Sequence, residues 1–212
     1  MTTAKICGLK TPEAVKAALD GGASHLGFMF FDKSPRRIDV EDAERLAQAA
    51  RWKADIVAVV VDPDDETLDR IVDGLKPHLI QLHGSESPAR VAQIAQRCGR
   101  GVIKVLPVRE ATDLNAAAAY EDVAEHLMFD AKPPEGADRP GGLGTAFDWT
   151  ILAGRRFKRP YFLAGGLDPW NVGEAVRQSG AALVDVSSGV ERGAGLKDPG
   201  LIEAFLDAVR RV

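Results

Sequence analysis

The sequence predicts an α/β protein, a single-domain (β/α)8 TIM barrel that spans residues 1–212. Eight short runs of Val, Ile, Leu and Phe recur along the chain, and each is followed by a polar or glycine-rich turn and an alanine-rich segment of helical periodicity. Such strict alternation favours a parallel sheet. The 212 residues leave roughly 26 for each unit, and eight units in so short a chain favour a closed barrel over an open doubly wound sheet.

The apolar runs give the predicted strands in chain order. They cover residues 4–8, 25–30, 56–61, 79–83, 102–106, 127–132, 161–165 and 183–187. Helix starts are indicated where a capping residue stands beside a proline or an acidic first turn. These signals are Thr11 with Pro12, Asp39 with Asp42, Asp62 with Pro63 and Asp64, Ser87 with Pro88, Asp148, Asp168 with Pro169, and Asp198 with Pro199.

Composition and charge exclude several classes of protein. The chain has 27 Lys and Arg against 31 Asp and Glu, a net charge of −4, so it has no general positive field for nucleic acid. Its two cysteines, Cys7 and Cys98, are too few for a disulfide framework and are not spaced as metal ligands. The N-terminus lacks the features of a secretory signal, and no run approaches the roughly 20 apolar residues of a membrane span. We therefore expect a cytoplasmic protein without nucleic-acid or membrane partners.

Active sites of such barrels lie at the C-terminal ends of the strands, so polar residues there are the candidates. Cys7 ends the first strand and shares a face with Lys5. A thiol there could act as a base, although free cysteines are often simply buried. Asp130 interrupts the apolar sixth strand, where it serves either the chemistry or a structural ion pair with Lys104 or Lys132.

Two glycine-rich turns follow the seventh and eighth strands, where barrels commonly bind phosphate. The first contains Gly165 and Gly166, and the second contains Ser187, Ser188 and Gly189. Glycine lets backbone N–H groups approach an anion closely, and serine hydroxyls add donors. Ordinary turn chemistry explains one such loop easily but two in these positions poorly, so we predict a phosphate site.

Other strand ends supply further substrate-binding candidates. Arg36 or Arg37, in the second loop, could hold a carboxylate through a bidentate guanidinium or could be a solvated surface charge. His83 ends the fourth strand as either a packed histidine or a donor to the pocket. Asp185, in the eighth strand, is either a supporting ion-pair partner or a ligand contact. The long loop after the sixth strand contains Gly142, and loops of this length often work as lids.

Seven sequence fragments occur in register with the predicted strand ends. They are KICG at 5–8, KSPR at 33–36, QLHG at 81–84, FD at 129–130, GGLG at 141–144 with FDW at 147–149, AGGL at 164–167 and DVSSGVE at 185–191. Together they closely resemble the phosphoribosylanthranilate isomerases, a family of metal-free barrel enzymes in tryptophan biosynthesis. The resemblance runs from residue 5 to about residue 198. Each fragment is weak alone, but the set is specific.

The resemblance implies an Amadori rearrangement of N-(5-phospho-β-D-ribosyl)anthranilate to 1-(2-carboxyphenylamino)-1-deoxy-D-ribulose 5-phosphate. The enzyme class is an aldose-ketose isomerase, an intramolecular oxidoreductase. The resemblance also implies Asp130 as general acid, Cys7 as general base, Arg36 at the anthranilate carboxylate, the two glycine-rich turns at the phosphate, and no metal or cofactor. Asp130 must then start protonated and Cys7 must start as a thiolate. We expect nearby Lys5 to lower the pKa of the thiol below its ordinary ~8.5.

Three other interpretations fit the sequence less well. Another phosphosugar isomerase, that of the histidine pathway, would need an aspartate where this chain has Cys7. Indoleglycerol phosphate synthase would need a set of lysine and glutamate residues at strand ends that is not found here. A catalytically silent phosphate-binding barrel is the alternative from outside the enzymes, and the presence of both Cys7 and Asp130 weighs against it. The expected partner is a small phosphorylated substrate, and the expected assembly is a monomer or a homodimer.

Overall fold

Eight parallel strands form a closed barrel in the computed structural model, which describes residues 2–132, 136, 141, 144 and 146–212. The strands are β1 Thr3–Cys7, β2 His25–Met29, β3 Asp55–Val60, β4 Leu79–Leu82, β5 Gly101–Val108, β6 His126–Ala131, β7 Tyr161–Leu163 and β8 Leu183–Val186. Each strand pairs with its successor, and β1 pairs with β8 to close the sheet, with Lys5 opposite Asp185. The predicted fold class is confirmed.

Helices cover the outside of this barrel. The α-helices are α1 Pro12–Asp20, α2 Val40–Gln48, α3 Asp65–Leu75, α4 Pro88–Cys98, α5 Val172–Ser179 and α6 Pro199–Arg210. Shorter 3-10 helices at Ala111–Ala119 and Trp149–Leu152 stand where the fifth and sixth α-helices would be, and a small antiparallel hairpin, β9 Glu191–Gly193 with β10 Leu196–Lys197, follows β8. Over the ranges that the structure describes, no helix is both long enough and apolar enough to cross a bilayer.

The predicted boundaries hold to within two residues for every strand. β7 ends earlier than expected, at Leu163, because Gly165 and Gly166 adopt positive φ angles of +86° and +65° that turn the chain away from the sheet. Helix caps follow the sequence signals at most positions. The side chains of Thr11, Asp64, Ser87, Asp148 and Asp198 each accept a hydrogen bond from the first turn of the following helix.

One helix start differs from its prediction. α5 begins at Val172 rather than directly after Asp168 and Pro169. The carboxylate of Asp168 accepts hydrogen bonds from the backbone N–H groups of Trp170 and Asn171, so it closes a separate turn. Asp168 therefore does accept backbone hydrogen bonds, as a capping residue would, but it stabilises the turn that precedes α5.

Side-chain alternation along the strands separates two cores. In β1, Ala4 and Ile6 pack into the large core between sheet and helices, whereas Cys7 belongs to the core inside the barrel. The core inside the barrel consists largely of apolar side chains. Its buried members include Val57, Val59, Ile103, Val105, Met128 and Phe162.

Histidines occupy the end of the barrel where the strands begin. His25 opens β2 and is 8% exposed, with its ring edge-on to Phe162 at 5.1 Å between centroids. Its Nε2 atom lies 3.6 Å from a carboxylate oxygen of Asp55. Burial lowers the pKa of His25 to about 4, which Asp55 only partly opposes, and the positive charge of Lys5 lowers it further.

This burial predicts a specific loss of stability in acid. Above the ordinary histidine pKa of 6.5 both folded and unfolded chains carry a neutral His25, so the group has no effect. Below it the unfolded chain takes up a proton that the folded chain refuses, and the free energy of unfolding falls by about 3 kcal/mol by pH 4. Urea unfolding across this pH range should show a shallower fall in His25→Gln. His78→Gln, which removes a more exposed histidine near the same Asp55, should keep the wild-type fall. Equal pH slopes in all three proteins would contradict the prediction.

Candidate active site

The C-terminal ends of the strands surround a cavity that is partly open to solvent. Cys7, Arg36, His83, Asp130 and Asp185 all line it. The structure therefore brings the two residues predicted to transfer protons, Cys7 and Asp130, into one cavity at the expected end of the barrel.

A buried ion pair lies directly below the thiol. Lys5 is fully buried, and its Nζ atom donates to Asp185 Oδ1 at 2.7 Å across the seam between β1 and β8. The ammonium group also lies within hydrogen-bonding reach of Cys7. Although burial disfavours the charge of Lys5, Asp185 and Cys7 outweigh it and raise the lysine pKa above its usual value. Lys5 is thus held as a cation beside the thiol.

The expected fall in the thiol pKa is wrong for the unliganded protein. Cys7 is 4% exposed, and burial raises its pKa above the usual value. The positive charges of Lys5 and Lys197 lower the pKa of the thiol, as expected for Lys5. The loss of hydration outweighs them, and the negative charge of Asp185 raises the pKa further. The sequence correctly indicated Lys5 as the neighbour of the thiol, but it did not show how strongly burial would raise the thiol pKa.

Asp130 contacts a histidine rather than a lysine. Its Oδ1 atom accepts a hydrogen bond from the backbone N–H of Ala131 at 2.9 Å, and its Oδ2 atom lies 3.2 Å from His83 Nε2. The structural ion pair with Lys104 or Lys132 is therefore not formed. Those two lysines pair with Glu86 and Asp113 respectively. Asp130 is 7% exposed and lines the cavity beside His83.

Gly141 closes over this pair. A Cβ atom at this position would lie 2.6 Å from Asp130 Oδ2 and 2.8 Å from the His83 ring, so only glycine fits. Gly142, the expected binding residue of the same loop, lies outside the described residues, as does most of the expected lid at residues 133–145.

The two glycine-rich turns both line the cavity, and Gly165 lies beside Asp130. Their lining residues are Gly165, Gly166, Ser187 and Ser188. In the part of the chain that the structure describes, the backbone N–H groups of Gly165, Gly166 and Ser188 donate to no other protein group. Unpaired amides at a cavity wall are suited to an anion.

Two members of the expected phosphate site have other contacts. Gly189 does not line the cavity. A Cβ there would lie 1.9 Å from the carbonyl oxygen of Leu167, so this glycine allows the two turns to pack together. The Ser187 hydroxyl donates to the carbonyl oxygen of Cys7 at 3.2 Å and accepts from Lys197 Nζ at 3.3 Å, so it fixes the end of β1.

The arginine ambiguity is resolved by position. Arg36 is 4% exposed and lines the cavity, and its Nε and Nη2 atoms donate to both carboxylate oxygens of Glu191, at 2.7 and 2.9 Å. Arg37 is about half exposed and pairs with Asp32 and Asp39 on the surface. Arg36 is therefore the arginine placed to meet a ligand.

Sequence reasoning missed three buried residues of the site. Gln81 lines the cavity beside His83, Glu191 orients Arg36, and Lys197 on β10 donates to Glu191 at 2.6 Å and to the Ser187 carbonyl oxygen at 2.9 Å. Burial lowers the pKa of Lys197 despite Glu191. Inward alternation along β4 could have found Gln81. No local signal marks Glu191 and Lys197, because their partners are distant in sequence.

A thiol and a carboxyl group that line one barrel mouth together with unpaired amides are typical of a TIM-barrel enzyme that acts on a small phosphorylated molecule. Within the described ranges, no three His, Cys, Asp or Glu side chains converge as metal ligands. Comparison with known proteins makes the class specific. The family model described as N-(5'phosphoribosyl)anthranilate (PRA) isomerase matches residues 4–208. The chain belongs to this isomerase family.

Individual relatives agree with the family model. A protein of Caulobacter vibrioides named N-(5'-phosphoribosyl)anthranilate isomerase is 63% identical over 209 residues, which cover 98% of this chain and 95% of the relative. A crystal structure of phosphoribosyl anthranilate isomerase in complex with reduced 1-(o-carboxyphenylamino)-1-deoxyribulose 5-phosphate is 30% identical, with a TM-score of 0.86 and complete coverage of both chains. A structure of monomers generated from the dimeric Thermotoga maritima isomerase is 30% identical, with a TM-score of 0.85 and the same coverage.

The buried thiol gives a direct test of this geometry. In a Cys98→Ser background, the alkylation rate of Cys7 by iodoacetamide should rise with pH and reach half its maximum above the ordinary thiol pKa of about 8.5. Lys5→Met should move that midpoint to still higher pH, because it removes a cation that favours the thiolate. Mass spectrometry would measure the alkylated fraction. A midpoint below pH 7 in the unliganded protein would contradict the assignment of burial as the dominant effect.

Proposed function

We propose that the chain isomerises N-(5'-phosphoribosyl)anthranilate to 1-(2-carboxyphenylamino)-1-deoxy-D-ribulose 5-phosphate with Asp130 as general acid and Cys7 as general base. Family membership supplies the reaction. The observation that carries the residue assignment is that this thiol and this carboxyl group, each nearly buried, line the same cavity at the C-terminal mouth of the barrel. Their environments differ, which suits a pair with opposite tasks.

Three parts of the cavity suit three parts of the substrate. Arg36, oriented by Glu191, faces the cavity and is the natural partner of the anthranilate carboxylate. The amides of Gly165, Gly166 and Ser188 are the natural partners of the phosphate. The ribosyl ring then lies between them, with the thiol and the carboxyl group at its reacting carbons.

The reaction follows from these positions. Asp130 donates a proton to the ring oxygen as the bond from that oxygen to C1 breaks, and the anthranilate nitrogen lone pair forms an iminium ion. The positive charge acidifies the proton on C2, which the Cys7 thiolate removes. The released electron pair forms the C1=C2 bond of an enolamine and neutralises the nitrogen. Addition of a proton at C1 and loss of the hydroxyl proton at C2 give the ketose, with no net change in composition.

Lys5 and Lys197 favour the base form of the thiol. Both ammonium groups act to lower the pKa of Cys7 against burial. Asp185 contacts Lys5 directly and keeps it protonated, so we assign Asp185 to support of the base through Lys5. This role places Asp185 behind the reacting groups although it lines the cavity.

Loss of either proton-transfer group should abolish most turnover. Cys7→Ser and Asp130→Asn each remove one group while preserving shape, and we expect kcat to fall by about 10²- to 10⁴-fold. The assay is the loss of fluorescence of phosphoribosylanthranilate. Cys98→Ser should keep wild-type turnover, and thermal unfolding should show that the barrel is intact.

Two outcomes of this assay would overturn the assignment. Near-normal kcat in either variant would remove that residue from its role, and absence of turnover in the wild-type protein would favour a silent barrel. Metal-free chemistry is part of the proposal. Addition of a chelator such as EDTA should leave the rate unchanged, and a loss of activity that metal restores would contradict it.

The two adjacent arginines provide a matched comparison. Arg36→Lys keeps the charge but removes the planar fork, and we expect at least a tenfold rise in KM because bidentate contact with the carboxylate is lost. Arg37→Lys alters a surface ion pair and should leave KM unchanged. Steady-state kinetics of both variants, with unfolding curves, would measure this. An equal effect of the two substitutions would contradict the placement of the carboxylate.

The remaining expectations concern partners and place of action. We propose that the protein works as a monomer or a homodimer on its small phosphorylated substrate, in the cytoplasm, without nucleic-acid or membrane partners. The net charge of −4 supports the first of these exclusions. Related structures include a dimeric isomerase and monomers generated from it. Sedimentation equilibrium of the purified chain distinguishes the two assemblies.

A further inference from the structure

Gln81 is a buried polar residue to which the reaction has not yet assigned a task. It is 1% exposed on the inward face of β4 and lines the cavity. Its Nε2 atom lies 3.4 Å from His83 Nδ1, and its Oε1 atom has no hydrogen-bond partner among the described residues. Burial of an amide so close to reacting groups is costly unless it serves them.

The contact with Gln81 determines where His83 carries its proton. An amide nitrogen donates hydrogen bonds and cannot accept them, so His83 Nδ1 must be the acceptor. A neutral imidazole that accepts at Nδ1 carries its hydrogen on Nε2. His83 Nε2 then lies 3.2 Å from Asp130 Oδ2, and the two atoms do not have hydrogen-bond geometry in this arrangement.

The two oxygens of Asp130 differ in what surrounds them. Oδ1 accepts from the Ala131 N–H at 2.9 Å, so it is engaged as an acceptor. Oδ2 lies against His83 and the glycine that covers the pair, Gly141. The proton of the general acid therefore belongs on Oδ2, the oxygen that His83 faces.

We propose that Gln81 is a positioning residue which holds His83 in its Nε2–H tautomer, so that the Asp130 proton stays directed at the substrate. This inference rests on the proposed role of Asp130 as general acid. With a hydrogen on Nε2, the imidazole has no lone pair at that atom to take the acid proton, which stays free to reach the ring oxygen. With the opposite tautomer, the Nε2 lone pair would accept the acid proton and hold it away from the substrate.

The same tautomer assists after the proton has moved. Once Asp130 has given its Oδ2 proton to the ring oxygen, the new carboxylate keeps the hydrogen bond from the Ala131 N–H, and the nearby Nε2–H of His83 gains a charged acceptor. Charge therefore develops on an oxygen atom that already faces donors. The proton lost by Asp130 is the proton gained by the substrate oxygen, and His83 keeps its own.

The backbone on either side of His83 is fixed independently of the cavity. Glu86 accepts from the backbone N–H of Gly84 at 3.1 Å, and Lys104 donates to the Gly84 carbonyl oxygen at 2.8 Å. Glu86 and Lys104 also pair with each other at 2.6 Å, both nearly fully buried. The position of the ring is thus set by the loop, and Gln81 is left to select its tautomer.

Nitrogen NMR of histidine tests the inference without an activity assay. The chain has four histidines, so ¹⁵N-histidine labelling gives few signals, and His83→Gln identifies the signal of His83 by its absence. We expect the shifts of a neutral Nε2–H tautomer in the wild-type protein. In Gln81→Glu, the carboxylate can only accept from Nδ1, so we expect the neutral Nδ1–H tautomer, with no hydrogen on Nε2. An Nδ1–H tautomer in the wild type, or an unchanged tautomer in Gln81→Glu, would overturn the proposal.

Kinetics of the same variants separate positioning from binding or folding. Gln81→Glu should lower kcat at least tenfold with little change in KM, and Gln81→Met, which lacks both donor and acceptor, should cause a smaller fall. Unfolding curves show whether each variant is intact. Unchanged kcat in a folded Gln81→Glu protein that carries the switched tautomer would also overturn the proposal. Failure of the general-acid assignment is recognised separately, by turnover that survives Asp130→Asn.

Discussion

A buried ion pair joins the first and last strands of the barrel, and the position of the candidate active site depends on it. Lys5 and Asp185 face each other in the register that joins β1 to β8, with 2.7 Å between their charged atoms. A lone buried charge is strongly destabilising, so each residue requires the other. Because Cys7 follows Lys5 on the same face of β1, the pairing that satisfies the lysine also sets the height of the thiol at the barrel mouth. Sheet closure and placement of the base are therefore consequences of a single register.

Two other buried carboxylates, those of Glu191 and Glu86, hold loops in place through ion pairs, as Asp185 holds the first and last strands together. Glu191 binds Arg36 and Lys197, and thereby joins the loop after β2 to the hairpin after β8. Glu86 ties the loop after β4 to Lys104 on β5. The proposed proton-transfer residues Cys7 and Asp130 lie on strands, and Arg36, the proposed carboxylate partner, lies on a loop that a buried acid anchors. Precise positioning of both sets is what proton transfer at carbon demands.

Much of this arrangement could be predicted from the sequence, for identifiable reasons. Period-two alternation and the rule that barrel sites lie at strand ends suffice to place Cys7 and Asp130 together. Contacts between residues distant in the chain leave no local trace, so the pairing of Arg36 with Glu191 and of Asp130 with His83 could not be anticipated. The direction of the Cys7 pKa required knowledge of how completely the thiol is buried. The capping residues predicted most helix starts correctly, but tertiary packing determined where α5 begins.

The seam between the first and last strands also constrains how the molecule is made. On the ribosome, Lys5 emerges 180 residues before Asp185, so it lacks this counter-ion until the last strand of the barrel has been synthesised. A nascent chain that still lacks Asp185 leaves Lys5 without its partner and cannot close the sheet that places the thiol at the barrel mouth.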